Sequence, residues 1–122
     1  MATVILRPTS VSSSTGWQTS GNVIANSFDN DNATYAQQNN TTCNVIYVLA
    51  DLDAGLSGAT INNYTISAYA KGGRAGAFNS NIKLIDSAGA DVASAETETW
   101  GGSLSTQTTT ADTTQNDGSA LT

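Results

Sequence analysis

From Cys43 to Ala50 the chain reads CNVIYVLA, and apolar side chains occupy both phases of a two-residue repeat. A pleated strand sends successive side chains to opposite faces. Cys43, Val45, Tyr47 and Leu49 therefore share one face, and Asn44, Ile46, Val48 and Ala50 the other. With both faces mainly apolar, the pattern predicts a central strand buried on both sides. A second segment alternates cleanly: Tyr64, Ile66, Ala68 and Ala70 are expected to point inward, and Thr65, Ser67 and Tyr69 outward. No stretch carries a helical stripe, and only LADLDAGL hints at a turn of helix. There is no fixed-period repeat and no alternation of strands with helices. The expected class is all-β, an antiparallel β-sandwich of jelly-roll type.

Composition decides whether so polar a chain can build that sandwich. Thr, Ser and Asn account for 44 of 122 residues, and Leu, Ile, Val and Phe for 22. So low an apolar share signals disorder only when joined to high charge. Here the net charge is −6 and 11% of residues are charged, so hydroxyls and amides supply the polarity. Thr fits a pleated surface, and Asn, Gly and Ser fit turns. Thin cores and long loops follow. The length suits one domain, divided into a strand with a long loop region (1–41), the main strands (42–111) and a polar tail (112–122), in which Leu121 is the one core residue in view.

The remaining strands are read as Thr3–Leu6, ended by Pro8; Asn81–Asp86, with Ile82 and Leu84 on one face; and two weaker ones in DVASAETETW and SLSTQTTTAD. PTSVSSSTGWQTSGN reads as loop anchored by Trp17, while KGGRAGAFNS and SAGAD read as turns. Six or seven strands result, against the eight of a jelly roll. The sandwich is expected to have an incomplete edge, filled by a neighbouring chain or by residues beyond the C-terminus.

Function classes are narrowed mainly by what the chain does not contain. Four basic residues cannot form a cationic stripe for nucleic acid. No run of 18 apolar residues spans a membrane, and MATVILRPTS lacks the pattern of a signal peptide. With no His, neither a Ser-His or Cys-His nucleophile nor an imidazole zinc site is available. Cys43 is alone and reads as a small packed side chain. No glycine loop with its Lys and Ser/Thr cradles phosphate. The expectation is a non-enzymatic protein with no catalytic residues, no cofactor and no metal.

The run SFDNDNATYA, Ser27–Ala36, offers Asp29 and Asp31 as hard oxygen ligands for calcium. Counted from Asp29, however, the sixth position is Thr34 and the twelfth Asn40, so it is no EF-hand loop. An Asx-turn is the simpler reading, closing the loop region onto the first strong strand through Phe28 and Tyr35. Sequons at Asn32, Asn39, Asn40 and Asn63 carry little information in a chain with 32 Ser and Thr. Candidate contact residues are Trp17, Tyr35, Tyr69 and Trp100, as aromatics serving a core, an interface or a sugar platform, and Lys71 and Arg74, half of the positive charge in one loop.

GWQTSGNVIANSFDNDNATYA followed by VIYVLADLDAGLSGATINNYTISAYAKGGRAG resembles small virion proteins of tailed bacteriophages, in Trp17, Asp29 to Tyr35, Leu52-Asp53 and Ile61 to Lys71. ANSFDNDNATYA also resembles a segment of galactose-binding-like, discoidin-type jelly rolls, with Asn30 in place of the Gly, Tyr35 in place of the Trp, and no cysteine pair. The resemblance covers roughly residues 1 to 90. It implies a capsid decoration or cement protein, or a fibre part, located in the virion after assembly in the bacterial cytoplasm. The implied partners are the major capsid protein, other virion proteins and further copies of the chain, with no nucleic acid and no membrane. A carbohydrate-binding module or adhesin, with the loop aromatics and Asp29 and Asp31 at its sugar site, is the alternative.

Overall fold

The computed structural model describes every residue except 1–2, 30, 32, 39–41, 52–53, 57–58, 73–77, 116–117, 120 and 122. Among these residues the chain is all-β, with six strands in three antiparallel two-stranded sheets that are small and do not close. The strands are β1 (Pro8–Thr15), β2 (Asn44–Leu49), β3 (Ser67–Ala70), β4 (Phe78–Ile82), β5 (Glu96–Trp100) and β6 (Ser105–Thr108). Two 3-10 turns, Ile24–Ser27 and Ala54–Leu56, complete the elements. The class matches the expectation from period-two alternation. The chain divides into two compact units, Met1–Ser57 and Gly58–Thr122, each taken by itself below.

In the first unit β1 pairs with β2, from Pro8 opposite Leu49 to Thr15 opposite Asn44. This reverses the expected assignment. Thr3–Leu6 is not a strand, and the supposed loop PTSVSSST is. Pro8 does not stop the strand because it is the first residue of it, where no ladder N–H is required. Low apolar content does not prevent pairing either, since β2 supplies the ladder and Thr and Ser tolerate the pleat. Register shifts between Pro8 and Ser10 and between Val11 and Ser13 mark bulges.

Val45 and Tyr47 of β2 are half-buried, as expected, but Ile46, Val48 and Leu49 are exposed at 39%, 43% and 37%. The predicted two-sided burial is therefore half realised. The described sheet offers β2 one neighbouring strand and one covered face.

The second unit nests one ribbon inside another. β3 pairs with β6, and the intervening β4 and β5 pair with each other. Burial along Tyr64–Ala70 alternates as predicted, with the even-numbered residues half-buried and Thr65, Ser67 and Tyr69 exposed. The β3–β6 ladder is prolonged by Thr109, which is buried. Its N–H donates to the Ile66 carbonyl at 2.9 Å, and its hydroxyl accepts the Ile66 N–H at 2.9 Å. Glu96 Oε2 accepts the N–H and hydroxyl of Thr110 at 3.0 and 3.1 Å, tying β5 to the end of β6.

Strand β4 begins at Phe78, three residues before the expected start. Its hairpin with β5 continues to the Ile85–Asp91 bridge. Between the two ladders, residues 83–84 on one arm face 92–95 on the other. The second arm thus has two surplus residues, and within it Ala93 is buried at 5% exposure. SAGAD is the expected turn. Asp86 Oδ1 accepts the N–H groups of Ala88 and Ala90 at 2.8 and 2.9 Å, and Gly89 takes φ +86°. Trp100, 2% exposed, stacks on Phe78 with centroids 5.1 Å apart, and Leu121 is buried as predicted. The core is thin, as the composition required. Among the described residues the buried hydrophobic side chains are Ala93, Trp100 and Leu121, all in this unit.

Candidate functional site

The first unit gathers the N-terminal loop around Trp17. The indole N–H donates to the Asn44 carbonyl at 2.8 Å, and the Trp17 backbone bridges to Gln38. The Gln18 N–H donates to the Gln37 carbonyl and the Gln37 N–H to the Asn22 carbonyl, each at 3.0 Å. Gly16 makes this corner possible. It sits at φ +79°, and a Cβ there would lie 2.6 Å from the Thr42 carbonyl oxygen. Trp17 is thus the anchor predicted for this loop. A depression of about 420 Å³ opens beside it, lined by Ser14, Thr15, Trp17, Gln18, Thr19 and Val23, with Gly16 and Ile24 completing the wall.

Among the described residues of Ser27–Ala36 both aspartates make the local bonds of a turn. Asp29 Oδ1 accepts the Asp31 N–H at 2.9 Å, and Asp29 Oδ2 accepts the Thr34 hydroxyl at 2.6 Å. Asp31 Oδ1 accepts the Ala33 N–H at 2.8 Å. The Thr34 hydroxyl, and after it the Asp31 amide, hold the Asp29 carboxyl below its ordinary value. Phe28 packs edge-on against Tyr47, centroids 5.9 Å apart, and joins the loop to β2 as expected. The Tyr47 hydroxyl meets Ser27 Oγ at 2.6 Å, and burial pushes the phenol's pKa up. Tyr35 does not share the anchoring. It is 57% exposed, and its backbone carbonyl accepts the Asn26 side-chain amide at 3.3 Å. Cys43 is a half-buried free thiol, pushed up by burial.

In the second unit Tyr69 stands on the outer face of β3, 56% exposed, opposite Thr106. The neighbouring Ser67 and Thr108 hydroxyls meet at 2.8 Å. Lys71 is exposed just beyond the strand, and Arg74 lies outside the described residues. Trp100 is a core residue and presents no contact surface. Arg74 aside, the candidate contact residues are divided between the two units. Trp17, Tyr35 and the apolar residues of β2 belong to the first unit, and Tyr69, Lys71 and Trp100 to the second.

Among the described residues no three acidic or cysteine side chains cluster as metal ligands, and no helix is long and apolar enough to cross a membrane. Two features were missed in the sequence. One is the exposure of Ile46 and Val48, which looked like core. The other is the set of polar residues at Trp17, contributed by Ser14, Gln18 and Thr19 from a stretch read as loop anchored by that Trp. No family model, curated protein or solved structure matches the chain.

Proposed function

We propose that the chain is a non-enzymatic structural protein of a bacteriophage particle, of the capsid decoration or cement type, working through contacts with virion proteins and with its own copies. The observation that carries the contact role is the outer face of β2. Ile46 and Val48 face solvent from a sheet of two strands, and exposed apolar side chains beside unpaired strand edges are the material of edge and face association. The virion setting rests on the resemblance of residues 1 to 90 to small phage proteins. An acidic net charge of −6 suits copies that stay apart until assembly.

The carbohydrate alternative called for aromatic rings presented side by side, which buried Trp100 cannot offer to exposed Tyr69 in the second unit. In the first unit Trp17 is half-buried and Tyr35 exposed, and the contact role is argued from β2 and not from these rings. The decisive experiment is the mass of the purified chain in solution over a wide concentration range, together with co-sedimentation with phage particles from the same source. A closed oligomer and retention on particles at a fixed copy number are expected. A monomer at every concentration that never sediments with particles overturns the proposal.

A further inference from the structure

The depression beside Trp17 has the composition of a binding site for a neutral ligand. No charged side chain lines it, so a phosphate or carboxylate would enter without a counter-charge, which is costly. Its polar groups are hydroxyls and an amide. The side chains of Ser14, Gln18 and Thr19 form no hydrogen bond among the described residues, whereas the neighbouring Thr15 hydroxyl is already committed to Asn44 Oδ1 at 2.9 Å. Its apolar lining residues are Val23, Ile24 and Trp17. That indole is held by its N–H, which donates to the Asn44 carbonyl at 2.8 Å. A volume of about 420 Å³ falls within the range of small-molecule sites. A held aromatic ring beside unpaired neutral donors and acceptors suits a molecule that is apolar on one face and hydroxylated at its edges.

We propose that this depression binds a neutral saccharide, with Trp17 as the ring contact and Ser14, Gln18 and Thr19 as hydrogen-bonding groups. The site lies within the first unit. It does not depend on the contact role: a chain that self-associates and one that does not would both carry it.

The test is a glycan array bearing neutral and anionic glycans, followed by titration of the protein with the strongest neutral hit. Binding is read from the two indole N–H resonances, Trp17 and Trp100. A neutral hit should move the Trp17 resonance and leave that of buried Trp100 in place. Trp17→Ala should weaken binding about tenfold or more. Because that change also removes the bond to Asn44, the deciding variants are Gln18→Ala and Thr19→Ala, which together should weaken binding at least about threefold with the thermal transition unchanged. A blank array, hits confined to anionic glycans, or binding that ignores the Gln18 and Thr19 changes overturns the site. None of these results bears on co-sedimentation with particles.

Discussion

Gly16 and Trp100 are the residues whose chemistry leaves least freedom. At Gly16 the left-handed φ and the 2.6 Å approach to the Thr42 carbonyl act together. Gly16→Ala is expected to cost about 1–3 kcal/mol from the backbone conformation alone, and more because a backbone atom must shift. Chemical denaturation would show it, and the Trp17 emission should change with it. Trp100 stacks on Phe78, yet its buried indole N–H has no hydrogen-bond partner among the described residues. Trp100→Ala should cost about 3–5 kcal/mol through the cavity it leaves. Trp100→Phe should cost well under half of that, since it deletes an unsatisfied donor along with some contact area. Equal losses in the two variants would show that the indole N–H is satisfied in solution. Tyr64 gives a pH signature. Its phenol is pushed up to about 12 from an ordinary 10, first by burial and then by the carboxylates of Asp112 and Glu96. A phenol raised in the folded state adds stability that is complete below pH 10 and is lost as pH climbs from 10 to about 12. Denaturation at a series of alkaline pH values should show this loss, and Tyr64→Phe should remove it.

Among the elements, the β4–β5 ribbon shows how a chain poor in apolar residues still specifies a sheet. Its exposed face carries cross-strand pairs, with Thr97 Oγ1 donating to Asn81 Oδ1 at 2.7 Å and Thr99 Oγ1 to Asn79 Oδ1 at 2.6 Å. Each such pair is worth roughly 0.2–1 kcal/mol. Part of the value lies in the β-branched shape that suits the pleat. Thr99→Val should therefore change stability by less than about 1 kcal/mol, whereas Thr99→Gly should cost more by losing both the pair and the strand preference. Thermal melts of the two variants separate hydroxyl from shape, and equal loss in both would place the whole effect in the hydrogen bond. The same logic explains β1. PTSVSSST has little of the usual strand signature, yet Thr9 donates to the Val48 carbonyl at 3.3 Å and Thr15 to the Asn44 side chain at 2.9 Å. Pairing with a strong partner outweighs weak local preference.

For the whole molecule, the question is what the exposed apolar residues of β2 meet. If copies associate there, Ile46→Lys with Val48→Lys puts two charges on the contact face, and the association constant should fall about tenfold or more, readable by light scattering across concentration. Both side chains already face solvent, so the thermal stability of the dilute protein should shift by no more than about 0.5 kcal/mol. Association that survives the double change moves the interface elsewhere on the molecule. A drop in stability at low concentration would instead mean that the two side chains are covered within one chain.

Local patterning by itself determined the all-β class, the inward and outward residues of Tyr64–Ala70, the turns at SAGAD and SFDNDNATYA, and a sparse core ending in Leu121. Those features depend on side-chain alternation and on Asx and Gly chemistry acting over a few residues, which are legible wherever they occur. Pairing decided the rest. That PTSVSSST is a strand, that the second face of CNVIYVLA stays wet, that Trp100 is core while Tyr35 is not, and that Ser14, Gln18 and Thr19 meet beside Trp17 all depend on which distant segments come together. No local preference encodes that choice, because hydrogen bonds between strands and the burial they bring are contributed by partners tens of residues away.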